Sequence, residues 1–179
     1  QRLSQVWRMH DHDERNVSLA VRDGGPAALR RAVGWYRRHE RLHCGDQVTM
    51  ADDAVAAWRA DVVAGRDGLL IADRWEVADA LNIRIHSERI GDDVPTVAAA
   101  RGHRVAVGDV VITRQNTVDI STRTDRGADA DPVRNGQRWE VLAVDPDVGR
   151  VAARRVDDGA IAVLSGDYLR QYTHLGYAV

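Results

Sequence analysis

The sequence predicts an α/β protein in which an α/β layer is joined to a small β-barrel. Three observations carry that prediction. Between residues 103 and 166, short β-patterned runs follow one another at turn-to-turn spacing: residues 110–115, 138–144, 150–156 and 160–164. That rhythm is typical of a compact SH3-like barrel. Inside it, Asn135-Gly136 is a hairpin signal, because a type I′ turn needs positive φ at both central residues and these two types tolerate it. Upstream, Gly68-Leu69-Leu70-Ile71-Ala72 reads as a buried strand that leads into a helix with Val77, Leu81 and Ile85 on one face. A strand followed by a helix is what a parallel α/β layer requires.

In chain order, residues 3–9 read as a short buried strand with Arg8 at its exit. The following His10-Asp11-His12-Asp13 has metal-ligand chemistry, but neither strand nor helix geometry converges four consecutive side chains. Helix entry is preferred, with Asp13 or a neighbour capping residues 14–21, and no metal site is assigned. Gly24-Gly25-Pro26 opens a second helix, with Leu29, Val33 and Tyr36 on one face and five arginines on the remainder. Thr49 and Asp52 resemble a capping box for a third helix over 50–64, in which Val55, Trp58 and Val62 recur at helical spacing and which Gly65 ends. Asp73 is a candidate cap for the helix after the 68–72 strand. Residues 91–102 connect to the barrel, residues 117–132 form a long polar loop, and Asp145-Pro146-Asp147 and Asp157-Asp158-Gly159 are turns.

The chain has 179 residues, 44% of them hydrophobic and 29% charged, which suits a globular protein able to bury its own core. All 25 basic residues are arginine, and the net charge is −2, so any nucleic-acid contact must come from a local patch. One cysteine excludes an internal disulfide. With no membrane-length apolar run and no signal-peptide pattern, a cytoplasmic location without membrane insertion is expected. The start at Gln1 and the end on a strand-like run suggest an excised fragment.

Gly108-Asp109-Val110-Val111, Arg114-Gln115-Asn116, Val133-Arg134-Asn135-Gly136 with Trp139 and Val141, and Leu175-Gly176-Tyr177-Ala178 resemble the later part of RecD-like superfamily 1 helicases, most nearly the helicase region of actinobacterial TrwC/TraI-type conjugative relaxases. The resemblance implies a partial second RecA-like motor domain over 1–96, an SH3-like insert over 97–171, and a returning RecA-like strand over 172–179. It also implies an ATP-dependent DNA helicase as parent, with ATP and magnesium as cofactors, and single-stranded DNA, the remaining polypeptide and conjugative transfer proteins as partners. Arg8 would then face ATP phosphates as the catalytic and cofactor-binding residue. Met9 follows it where such proteins often have Gln.

Single-strand binding combines cations along the backbone path with planar groups that stack on bases. The candidate DNA-binding residues are Arg114, Asn116, Arg134, Asn135 and Arg138, led by Arg114 and Asn116. Trp139 alternates with Val141 and reads as barrel core. Without any lysine, a phosphate-cradling Gly-Lys-Ser/Thr loop is impossible, so no cofactor and no independent ATPase activity are expected of this chain. The competing expectation is a protein-interaction module of a DNA-transfer complex that does not touch DNA, marked by an exposed aromatic groove instead of an arginine-lined track.

Overall fold

A computed structural model describes Met9 and residues 11–91, 93–124 and 131–179. The predicted strand over 3–9, with Arg8, therefore falls outside the described residues apart from Met9. The chain divides into two compact units, Gln1–Asp52 and Asp53–Val179.

In the first unit, helix α1 (His12–Asp23) starts at Asp11, whose carboxylate accepts from the amides of Asp13 at 2.7 Å and Glu14 at 3.1 Å. Helix α2 (Pro26–Arg38) begins with Pro26, where a missing N–H leaves no intrahelical bond unmade. Ala32 is the one fully buried residue of these two helices. Outside the helix pair, Arg41 reaches back to Glu14 at 2.6 Å. Helix α3 (Gln47–Val63) is capped by Asp46, not by the predicted Thr49. Asp46 accepts from the Val48 and Thr49 amides and from the Thr49 hydroxyl, so the earlier carboxylate takes the donors that a Thr49 cap would have left open.

The second unit opens with the rest of α3, whose Val55 and Trp58 are buried, and Gly65 ends it at φ +73. The run at 68–72 forms only a single parallel bridge, Leu70 to Ala178, supported by three backbone bonds to residues 177–179. Helix α4 (Trp75–Arg89) follows and buries Ala78, Leu81, Asn82 and Ile85. Strands β1 (Val97–Ala98) and β2 (Arg104–Val105) make a two-stranded antiparallel ladder.

The main sheet contains β3 (Val110–Thr113), β4 (Thr122–Arg123), β5 (Arg138–Asp145), β6 (Arg150–Arg155), β7 (Ile161–Ser165) and β8 (Thr173–Leu175) in the order β4-β7-β6-β5-β3-β8. Every pairing in it is antiparallel. Helix α5 (Gly166–Tyr172) links β7 to β8. Along β5 to β7, alternate residues turn inward, and Trp139, Val141, Val151, Ala153, Ala162 and Leu164 form the core with Val111 and Leu175. This is an SH3-like barrel beside helices. The expected RecA-like parallel motor domain is not present among the described residues: the one parallel pairing is the Leu70 bridge, and a single bridge does not make a parallel sheet.

The turns predicted at 145–147 and 157–159 both lie within hairpins, between β5 and β6 and between β6 and β7. Asn135-Gly136 is not. Only Gly136 has positive φ, +86, and the chain on either side does not pair with itself. Val133 bridges Thr117, while Arg138 and Glu140 pair with Ile112 and Val110. The kink is held from outside by Thr113, whose carbonyl accepts from the Gly136 amide at 2.7 Å and whose hydroxyl donates to the Arg134 carbonyl at 2.7 Å. The left-handed residue thus serves a detour at the entrance to β5 instead of a strand reversal.

Candidate partner-binding cleft beside Trp75 and Arg114

Four segments of the second unit meet at Trp75. Residues 69–72 run alongside 177–179, and the chain turns through Asp73 and Arg74 into α4, which leaves Trp75 at the helix start with 49% of its surface exposed. Arg114, at the exit of β3, places its guanidinium 4.8 Å from the indole centroid. Arg101, held at φ +58, lies 5.1 Å from the same centroid and pairs with Asp79 at 2.8 Å. The His174 ring stacks at 6.4 Å from the indole. Ile71, Ala72, Asp73, Arg74, Arg114 and Val179 complete a cleft of about 330 Å³ with Trp75 at its wall.

Beneath the cleft, His103 is fully buried and accepts through Nδ1 from the Leu175 amide at 3.1 Å. That bond fixes the neutral tautomer with its proton on Nε2, which faces Asp79 at 3.3 Å. Burial and then the nearby cations push His174 down to about 4, so it is neutral beside Arg114 and Arg101 near neutral pH. Desolvation also lowers Arg114, which has no carboxylate partner among the described residues. Its Nε is buried and unpartnered.

The other predicted contact residues are not brought together into a track. Asn116 accepts from the Asn135 amide at 2.8 Å, so both amides brace the β5 entrance. Arg134 is exposed on that kink, its own amide tied to Gln137. Arg138 is spent internally: it pairs with Asp67 and reaches the Gly68 carbonyl, which ties the barrel to the 68–72 segment. Arg8 lies outside the described residues. Trp139 is fully buried, in agreement with its alternation with Val141.

From the sequence alone Trp75 reads as a packing residue, and nothing singles out Arg101, Ile71 or His174. Nothing in local spacing brings residues 71, 75, 101, 114 and 174 to one place; only the return of the chain through β8 does so. A second buried cluster was equally illegible. Asp109, fully buried, accepts from the Tyr177 hydroxyl at 2.6 Å, the Ala106 amide at 2.7 Å and His86 Nδ1 at 2.8 Å. With these partners Asp109 clamps α4, the barrel entrance and the 177–179 segment together. Burial and the Asp109 charge hold the Tyr177 hydroxyl protonated. Among the described residues, no group of His, Cys, Asp or Glu is placed to hold a metal ion, and no helix is long and apolar enough to cross a membrane.

The class defined by the second unit is an SH3-like barrel protein. More particularly, residues 97–174 match a family described as the Rv2311 SH3-like barrel domain. Two relatives from Mycobacterium tuberculosis, "Uncharacterized protein Rv2311" of strain ATCC 25618 / H37Rv and "Uncharacterized protein MT2373" of strain CDC 1551 / Oshkosh, are each 59% identical to this chain over 49 residues. The match covers 27% of this chain and 28% of the length of each relative.

These similarities overturn the resemblance to RecD-like helicases and conjugative relaxases, since neither the family nor the relatives are described as either. The physical reason is visible in the fold. Gly108 to Val111, Arg114 to Asn116 and Val133 to Gly136 with Trp139 and Val141 carried that resemblance from within the matched barrel, where they make its strands and the β5 kink. Leu175 to Ala178, just beyond the match, supply the end of β8 and the partner of the Leu70 bridge. They report barrel geometry and not a motor. The ATP, magnesium and helicase expectations rested on the same resemblance and are not carried forward.

Proposed function

We propose that this chain is a protein-interaction module whose contact surface is the Trp75 and Arg114 cleft. One observation carries the reading: a half-exposed indole and a strongly exposed Ile71 share a cleft with a cation that no carboxylate among the described residues neutralises. The arginines of the barrel support it by their employment. Arg138, Arg150, Arg154, Arg155 and Arg170 are each paired with an acid, which breaks up an arginine-lined track. The indole itself is crowded by two guanidiniums and an imidazole, so a nucleobase must displace one of them to stack.

Single-stranded nucleic acid is the second reading, favoured by Arg134 and Arg104, exposed cations without an acidic partner among the described residues. The test selects displayed ten-residue peptides on the immobilised full chain and then titrates them against the chain and its Arg114→Ala variant, beside a salt titration with a fluorescent single-stranded oligonucleotide. The expected result is selected peptides that bind the native chain and lose at least about tenfold in affinity to the variant. No selectable peptide, together with oligonucleotide affinity that falls steeply with salt, overturns the proposal in favour of the second reading.

A further inference from the structure

The cleft has a backbone wall as well as a side-chain one. Leu70 donates to the Tyr177 carbonyl at 3.0 Å and accepts from the Val179 amide at 3.0 Å, and Ala72 donates to the Val179 carbonyl at 2.8 Å. In an extended chain the peptide groups of alternate residues point to opposite edges. Residues 70 and 72 therefore direct theirs toward 177–179, which turns the N–H and C=O groups of Leu69 and Ile71 toward the other edge. No hydrogen-bond partner meets these groups there among the described residues. Ile71 is 82% exposed and Leu69 39% exposed, on the same face of the strand.

A strand edge with its donors and acceptors open is a template for another strand, and folded proteins ordinarily cover or charge such an edge. Here the row itself is apolar and the charges lie at one end. Among the described residues Arg114 has no carboxylate partner, and Arg74 has only a 3.8 Å contact with the exposed Asp73. The end of the edge is therefore net basic.

We propose that residues 69–73 bind an extended acidic and apolar segment of another protein by strand addition, with an apolar side chain against Ile71 and a carboxylate at Arg114 and Arg74. This rests on the interaction-module reading and adds to it the mode of binding and the chemistry of the partner. Main-chain bonds supply affinity in such complexes, and alternate side chains supply selectivity.

The probe is a fluorescein-labelled ten-residue peptide of alternating valine and glutamate, titrated by anisotropy against the full chain. Two companions carry N-methyl groups on all valine amides or on all glutamate amides, and a third replaces glutamate by lysine. Because only one edge of an added strand donates to its host, one N-methylated peptide should bind like the parent and the other should lose roughly tenfold or more. The lysine peptide should bind at least about tenfold more weakly than the glutamate peptide. Ile71→Pro removes an edge N–H that has no partner in the free protein, a position where proline is tolerated, so it should weaken the parent peptide without lowering the thermal midpoint.

Equal binding by both N-methylated peptides overturns strand addition. If Arg114→Ala still weakens the peptides selected above, the interaction reading survives that failure. Equal binding of the lysine and glutamate peptides overturns the assigned partner charge. Absence of binding by the parent peptide overturns the inference, and the absence of any selectable peptide overturns the function reading with it.

Discussion

The two units solve the problem of burial differently. In the first, two short helices are defined by their ends: Asp11 caps one, Pro26 starts the other, and between them only Ala32 is withdrawn from water. In the second, Trp139, Tyr177, Leu164, Leu169 and Leu175 are each almost wholly buried, and buried polar groups such as Asn82 and Asp109 are matched to partners far along the chain. Local rules thus shape the helix pair, whereas long-range packing shapes the barrel. The difference teaches where substitutions act: at helix termini in one unit, at buried contacts in the other.

The strongest way to break this comparison is Trp139→Ala. Removal of a fully buried indole should cost the second unit about 3–5 kcal/mol, read as loss of its cooperative denaturant transition, while the helical signal of α1 and α2 persists. A variant that lost both signals together would show that the units are one cooperative body. Asn82→Ala should be next in effect. Its amide donates to the Ala178 carbonyl at 2.9 Å and accepts from the Tyr177 amide at 3.0 Å and the Ala178 amide at 2.9 Å. Removal leaves these buried groups unmatched, at about 1–3 kcal/mol per group before relaxation, and hydrogen exchange should open the 177–179 segment first.

A pH titration sharpens the contrast with the smallest effect. His174, depressed from 6.5 to about 4 in the fold, binds a proton more readily when unfolded. The second unit should therefore lose stability as pH falls from 6.5 toward 4 and lose no more from this group below that. Asp11 and Asp46 sit below the ordinary carboxylate value of 3.8 because they accept backbone amides. Their contribution is complete above 3.8 and disappears as pH falls through the lower folded value, so the α1 and α3 starts should fray only in that more acidic range. Near-ultraviolet signals from the barrel and helical circular dichroism should part company accordingly.

What could be read from the sequence follows the same division. The proline start of α2, the Gly65 stop, the turns at 145–147 and 157–159 and the buried face of α4 at Leu81 and Ile85 depend on neighbours within a few residues and were legible. The predicted faces of α2 and α3 were less so, since Leu29 and Val62 are exposed. The α3 cap was misplaced by three residues because Asp46 and Thr49 are both good caps and the carboxylate was already in position. Asn135-Gly136 misled for a deeper reason. Its conformation is set by Thr113, more than twenty residues earlier, and not by the dipeptide's own preference. Arg138 offered itself as a DNA contact until Asp67 claimed it, and Trp75 was discounted because its neighbours at 101, 114 and 174 are distant in sequence. Arg114 alone was both chosen from the sequence and placed at the cleft.

The Asn82 bonds also impose an order in time. Helix α4 leaves the ribosome long before Tyr177 and Ala178, so the Asn82 amide is held in water until those residues appear some 95 positions later. During that interval the 69–72 segment has neither of its edges paired, and the β3 edge that will receive β8 is open as well. Residues 173–179 are thus the latch of the second unit. A nascent chain halted before Thr173 should expose the inner edge of 69–72 and the β3 edge, both of which residues 173–179 later cover, and be a substrate for chaperones during that interval.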